Sequence, residues 1–304
     1  MTNGIDVSIY QGDIDWKRVK ADFVIIRAGY GSSAAGIDEK FQRNYTGCEE
    51  NEIPKGCYWF SYAVTPEEAA DEARAMLSVI RGKRFEYPIY YDVENRSQFR
   101  LGKSRLSEII RTFIKTLEAE GYMAGLYMSA YYLNTVVEED IINTYPIWVA
   151  DYGTVNSFNG KYGIWQYGIA GSPQFNTTGA GYVPGVDGEC DLDRCYINYP
   201  EKIKALGLNG YTKAPEARKT ITELAHEVLL GDWGNGQERR ERLTNAGYNY
   251  ERVQQKVDEL LIEEVAAEVI QGKWGNGEER RQRLTRAGYN YSEVQSAVNR
   301  MLAG

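Results

Sequence analysis

The chain has 304 residues, 43% of them hydrophobic and 26% charged, with a formal net charge of −8. That length favours two folded units over one, and the composition excludes a disordered polymer. A single histidine, His226, excludes multi-histidine metal centres and confines any Ser-His-Asp triad or Cys-His dyad to that one position, so chemistry elsewhere in the chain falls to carboxylates, tyrosines, lysines or cysteines.

Charge is unevenly spread: residues 1–200 hold 27 Asp and Glu against 19 Lys and Arg, whereas residues 201–304 hold 16 of each. An acidic front half lacks the basic footprint that a phosphate backbone needs, so a nucleic-acid partner is not expected. No run of 18 apolar residues is available to span a membrane. The opening MTNGIDVSIYQGDIDW lacks the basic start and apolar run of a signal peptide. Cys48, Cys57, Cys190 and Cys195 form no CxxC and no zinc-site spacing, so four reduced, buried thiols are expected. Nothing calls for a metal or an organic cofactor.

In chain order, β-rich runs fall at Gly4–Ser8, Phe23–Ala28, Gly56–Tyr62, Tyr87–Glu94, Ala124–Ser129, Pro146–Ala150, Gly163–Tyr167 and around Asp187–Tyr196. Between them lie helical patterns. Thr65-Pro66-Glu67-Glu68 reads as an N-cap, a proline at the first helical position and a capping-box glutamate. It opens a helix with Ala69, Ala73, Met76, Leu77 and Ile80 on one face. A second helix carries Leu106, Ile109, Ile110, Phe113, Ile114 and Leu117 and stops at Gly121. Eight strands with intervening helices predict an α/β fold, a β/α barrel. A full barrel takes about 250 residues, and this part of the chain has only 200. The Gly-, Asn- and Ser-rich stretch between Ala150 and Gly163 has no helical period, so the expectation is an incomplete barrel of about five β/α units followed by three plain strands.

Residues 201–217 contain Gly207, Gly210 and Pro215 and read as a linker between the barrel, residues 1–200, and the C-terminal part of the chain. Beyond it Glu223–Leu261 aligns with Glu264–Leu302 at a constant offset of 41, with 24 of 39 positions identical. The two copies, residues 218–262 and 263–304, each read as three short helices. So small a unit has little core, and Trp233 and Trp274 are its expected anchors.

Within Pro88-Ile89-Tyr90-Tyr91-Asp92-Val93-Glu94, strand alternation puts Tyr90, Asp92 and Glu94 on one face and Ile89, Tyr91 and Val93 on the other. Two carboxylates on an inner face do not fit a packed core, but they fit the active-site rim at the C-terminal end of a barrel strand. At about 6–7 Å between Cα atoms they repel, so the less solvated member is expected to hold its proton near neutral pH, a pairing that glycoside cleavage uses, and two simply solvated carboxylates at a strand end are the alternative. Asp6 and Ser8 share a face near another strand end. Asp187, Glu189, Asp191 and Asp193 share a parity in the last strand, and parity alone does not choose among them. Arg27 is placed to balance this acid or to make a structural ion pair. Tyr62, Tyr127, Trp148, Asp151 and Gln166 are candidates to line the same rim.

GIDVSIYQGDIDW, IIRAGYG, PIYYDVE, GLYMS, IWVADYG, IWQYG and the late DLD together resemble glycoside hydrolase family 25, the phage and bacterial lysozymes that cleave peptidoglycan as N-acetylmuramidases. The resemblance covers about residues 3–198. It implies a five-plus-three barrel, Glu94 as general acid with Asp92 beside it, and Asp6 and Asp191 completing a ring of four carboxylates. Asp191 is chosen because CDLD looks like the family's late Asp-Leu-Asn, with Asp193 standing where that asparagine is usual. One departure is Tyr58-Trp59-Phe60, where many members carry a histidine between the aromatics. The C-terminal copies resemble the cell-wall-binding repeat of a pneumococcal phage lysozyme in their W-G-N-G loop, R-x-R-L helix and A-G-Y-x-Y. For these, Trp233, Arg239, Trp274 and Arg280 are the candidate wall contacts, set against core anchors for the tryptophans and a solvated face for the arginines. The resemblance implies an endolysin that cuts the β-1,4 bond from N-acetylmuramic acid to N-acetylglucosamine, made in a host cytoplasm and acting on the wall after release. Rival readings are hydrolysis of another amino-sugar polymer such as chitin, a wall-binding protein with an inert barrel, and self-association through the repeats.

Overall fold

The computed structural model describes residues 1–176, 181–213 and 218–303. The chain divides into two compact units, residues 1–214 and 215–304. In the first, strands β1 (Thr2–Val7), β2 (Phe23–Tyr30), β3 (Lys55–Phe60), β4 (Ile89–Asp92), β5 (Ala124–Ser129), β6 (Ile147–Ala150), β7 (Ile164–Ala170) and β8 (Cys190–Cys195) close into a barrel in chain order. β1 to β7 run parallel, and β8 is antiparallel to both β7 and β1.

The helices are α1 (Phe41–Glu50), α2 (Pro66–Ile80), α3 (Lys103–Glu118) and the pair α4 (Ala130–Val136) and α5 (Glu139–Thr144). They serve the four connections from β2 to β6. Among the described residues the β1–β2 connection carries only a 3₁₀ turn, Ile9–Gln11, and no helix follows β6 or β7. The helical shell is therefore incomplete while the sheet is closed, and the first connection differs from the expected helical unit. Local chemistry explains the starts: at α2 the Thr65 hydroxyl accepts from Glu68 N, and the Glu68 carboxylate accepts from Thr65 N.

Strand alternation sorts the core into two sets. Val24, Ile26, Cys57, Trp59, Ile89, Tyr91 and Val93 face the helices. Phe23, Ile25, Tyr90, Tyr127, Trp148 and Ile164 fill the barrel interior. Room for these rings comes from glycine: a Cβ on Gly4 would lie 2.4 Å from the Phe23 ring. All four cysteines are buried and unbridged.

The sequence read residues 201–217 as linker, but most of that stretch belongs to the barrel. Helix α6 (Tyr199–Leu206) is capped by Asn198 and ends at Gly207, whose φ of 68° suits glycine. Tyr199 and Ile203 close the interior core from below. Asn209 is fully buried, donating to Tyr87 O at 2.9 Å and accepting from Met123 N at 2.7 Å. Tyr211 donates to Glu86. Residues 214–217 of that stretch lie outside the described residues.

The second unit comprises α7 (Ile221–Leu230), α8 (Gly236–Asn245), α9 (Tyr250–Ile270), α10 (Gly277–Arg286) and α11 (Tyr291–Ala303). The third helix of the first copy and the first helix of the second are fused into the 21-residue α9. Each copy keeps its own core: Leu224, Val228, Leu243, Val253 and Val257 in one, Val265, Val269, Leu284, Val294 and Val298 in the other.

Candidate active site

A cleft of about 860 Å³ opens at the C-terminal end of the parallel strands, and Asp6, Asp92, Glu94 and Asp191 all line it. Asp6 comes from β1 and Asp92 is the last residue of β4, with Glu94 two residues beyond it. Asp191 arrives by a different route: β8 runs antiparallel, so its beginning, and not its end, stands at the mouth, with Asp191 in register with Asp6. The same register puts Asp193 deeper, opposite Gly4 and Gln166. Asp187 and Glu189 precede β8, and the Glu189 carbonyl accepts from Gln11 Nε2 at 3.2 Å.

Burial dominates the electrostatics. Asp92 is 3% exposed and its Oδ1 has no hydrogen-bond partner. Its pKa is pushed well up by burial and then by the charge of Glu94, while Arg27 pulls it down. Glu94 reaches solvent at the rim, yet the protein around it raises its pKa too. Asp191 is raised to about 6, by burial first and then by Glu94. Asp6 is raised by burial, Asp191 and Asp193, against the Gln166 amide, which donates to Asp6 Oδ2 at 2.8 Å.

The other predicted rim residues divide. Tyr62, Tyr127, Trp148 and Gln166 line the cleft. Gln166 Oε1 accepts from Tyr127 at 2.9 Å and from Tyr152 at 3.1 Å, and Trp148 Nε1 donates to Asp193 Oδ1 at 2.7 Å. Arg27 lines it as well, but its Nε donates to buried Asp38 at 2.7 Å and its guanidinium stacks on Tyr10. Asp151 does not line the cleft. Its carboxylate folds back on the following turn and accepts from Ser157 N and Oγ, as short acidic side chains in turns do.

Sequence reasoning missed Tyr10, Tyr30, Asp38 and Tyr152, which sit on loops or at a strand end, where no alternation marks which residue turns inward. Tyr58 and Phe60 line the cleft, whereas Trp59 between them is fully buried on the outer face and donates to Gly31 O at 2.9 Å. The family departure at that tripeptide therefore lies behind the strand and not in the cleft.

Behind the rim, a buried network joins the loops that carry Tyr62 and Glu94. Glu72 on α2 accepts from Tyr62 N at 2.8 Å and from the Tyr91 hydroxyl at 2.6 Å. Ser61 Oγ donates to the Tyr91 hydroxyl at 2.7 Å and accepts from Gln98 Nε2 at 2.7 Å.

In the second unit, Trp233 and Trp274 are part-buried against their own cores, and each donates Nε1 to a glutamate, Glu227 or Glu268, at 2.9 Å. Arg239 donates to Gly234 O, Gln254 and Asn235, and Arg280 repeats this on Gly275 O, Gln295 and Asn276. These arginines are pinned to the W-G-N-G loops and do not form a free solvated face. Arg240 pairs with Glu251 and stacks on Tyr250.

The sequence profile described as glycosyl hydrolases family 25 matches residues 5–174, and the CW_7 repeat profile matches residues 222–261 and 263–302. The chain is 31% identical over 193 residues to the uncharacterized protein YegX of Escherichia coli O157:H7, covering 57% of this chain and 68% of that protein. It is 30% identical over 213 residues to the lysozyme of Streptococcus phage Cp-7, covering 68% of this chain and 56% of that one. Among solved structures, it resembles the bacterial lysozyme from Streptomyces coelicolor with a TM-score of 0.56 and 27% identity, covering 69% of this chain and 98% of that one.

Proposed function

The chain belongs to glycosyl hydrolases family 25, and on that premise we propose that it is a peptidoglycan hydrolase, a lysozyme that cuts the β-1,4 bond from N-acetylmuramic acid to N-acetylglucosamine and is held on the wall by its C-terminal repeats. The observation that carries this reading is the Asp92–Glu94 pair, two carboxyl groups with raised pKa values at the floor and rim of an aromatic-lined cleft.

The pair titrates as one unit, and with both members raised it keeps a proton to higher pH than two ordinary carboxyl groups would. Burial and the Glu94 charge raise Asp92 by more than Arg27 lowers it, so Asp92, the less solvated member, is the harder of the two to ionise, and the donor role of Glu94 rests on its place at the rim. Glu94 is the member that reaches solvent, and so the one that can hand a proton to a leaving glycosidic oxygen. With the shared proton on Glu94 in the reactive state, the Asp92 carboxylate stabilises positive charge at the anomeric carbon or orients the substrate's N-acetyl group. Tyr62, exposed on the rim, offers a ring face to a sugar, and the Glu72–Tyr91–Ser61–Gln98 network fixes its backbone. We read the enzyme as phage-type, made in a host cytoplasm and acting on the wall after release.

Parallel digestion of purified peptidoglycan and chitin by the whole chain tests this. Clearing of the wall, with chitin intact, is the expected result. Chitin cleavage at a comparable rate would move the substrate to another amino-sugar polymer, and binding to walls without clearing them would make the barrel inert.

A further inference from the structure

Asp193 takes no part in the proton transfer assigned to Asp92 and Glu94. Its side chain is completely buried beneath the residues that line the cleft. One oxygen accepts from Trp148 Nε1 at 2.7 Å, and the other, Oδ2, is sealed from solvent with no donor. The group facing it from β1 is the Asp6 carboxyl, whose Oδ2 is already taken by the Gln166 amide. That amide is fixed in direction, because its oxygen accepts from Tyr127 and Tyr152 and only its NH₂ side is left for Asp6.

Apart from Arg27, and Arg194 of β8, whose guanidinium lies over Trp165 and Tyr167 of β7, the surroundings are anionic or neutral. β8 itself contributes Asp191, Cys190 and Cys195, β4 contributes Asp92 and Tyr90, and Glu94 follows just beyond β4. Tyr58 on β3 and the phenols of Tyr127, Tyr152 and Tyr167 are neutral donors or bystanders. Among the described lining residues the one cation is Arg27 on β2, and its Nε is committed to Asp38. Two adjacent buried carboxyl groups with no counter-ion do not both ionise.

We infer that Asp6 and Asp193 hold a single proton between them across the neutral range, so that Asp193 is a positioning residue that gives the cleft floor one acid–carboxylate pair in place of two anions. A proton between the facing oxygens supplies the hydrogen bond that Asp193 Oδ2 lacks. It also removes one negative charge from beneath Asp92 and Glu94. The directions agree: burial, and then Asp191 and Asp193, push Asp6 up, and burial pushes Asp193 up against the Trp148 indole. In the catalytic sense the inference rests on the hydrolase reading of the cleft, but the proton count does not.

The test is a ¹³C titration of the Asp6 and Asp193 carboxyl carbons in the full chain, assigned through their own backbones, with wild type beside Asp193→Asn. In wild type one proton should remain on the pair above pH 7. In Asp193→Asn, an isosteric change, the asparagine NH₂ donates to Asp6, whose midpoint should fall by about 1–3 pH units. The charge then sits on Asp6, nearer Glu94, so the alkaline limb of soluble-glycan hydrolysis should move to higher pH. Ordinary titration of both carboxyls near pH 4 in wild type overturns the inference whether or not the variant folds. A wild-type chain that shows the shared proton yet cuts no glycan leaves the inference standing and removes the hydrolase reading instead.

Discussion

The barrel and the repeat unit solve opposite problems. The barrel has two cores assembled over long range, one between sheet and helices and one inside the sheet, and gathers its functional side chains from strands far apart in sequence: Asp6 on β1, Asp92 on β4 and Asp191 on β8. Every one of those carboxyls is raised in pKa, which means the site is held against its own repulsion by the packing around it. The repeat unit has two small cores built from neighbouring helices, and its polar staples are local. Trp233 reaches Glu227 and Arg239 reaches Gly234, and the same bonds recur 41 residues later at Trp274 and Arg280. Strain sits in the unit assigned to chemistry, and redundancy in the unit assigned to holding on.

The sharpest break of that comparison is Glu94→Gln. General acid catalysis is worth roughly 10²–10⁴-fold, so turnover on a soluble glycan should fall by that much while wall binding by the repeats stays unchanged. Retention of more than about a tenth of the turnover sinks the role of Glu94.

The unit boundary comes next. A fragment ending at residue 213 should fold and cut soluble glycans at nearly the full rate, with reduced clearing of intact walls because two tethered contacts are lost. Ending it at residue 200 removes Ile203 and the Asn209 plug, and should cost several kcal/mol of stability in a denaturant titration. Equal stability of the two fragments would return α6 to the linker.

Strain in the cleft has a pH signature. Asp191 binds its proton more tightly folded than unfolded, so its contribution to stability is full below pH about 4 and is lost as pH rises to about 6. The shift from 3.8 to about 6 corresponds to about 3 kcal/mol. Asp191→Asn should remove most of that fall from the barrel's stability profile. A variant that keeps the wild-type slope would show that Asp191 is not strained.

The smallest effect tests redundancy. Arg239→Ala and Arg280→Ala should each destabilise the repeat unit by about 1–3 kcal/mol, nearly equally and nearly additively, because they lie in separate cores. Unequal losses would mean that the shared α9 couples the copies.

Legibility in the sequence divides along the same line. The repeat reads well because its two copies serve as each other's alignment and its contacts are short-range. In the barrel, alternation along β4 correctly separated Tyr90 and Asp92 from Tyr91 and Val93, since facing is a local property of a strand. The choice among Asp187, Glu189, Asp191 and Asp193 was not legible from parity, because it depends on where β8 starts and on its reversed direction. Asp38 was invisible for the same reason, since only the folded loop brings it to Arg27. Helix α6 is legible in the sequence, because Asn198, Pro200, the Tyr199–Ile203 spacing and Gly207 spell a capped helix, and Gly207 and Gly210, which read as linker, are its left-handed end and the turn beyond it.

The carboxylate cleft, as assigned, cuts the glycan at one kind of bond. Mass spectrometry of the fragments that the full chain releases from a peptidoglycan of defined structure reads that bond directly. Fragments ending in reducing N-acetylmuramic acid, absent with Glu94→Gln, are the predicted result. Fragments ending in reducing N-acetylglucosamine, or identical fragments from the variant, would contradict it.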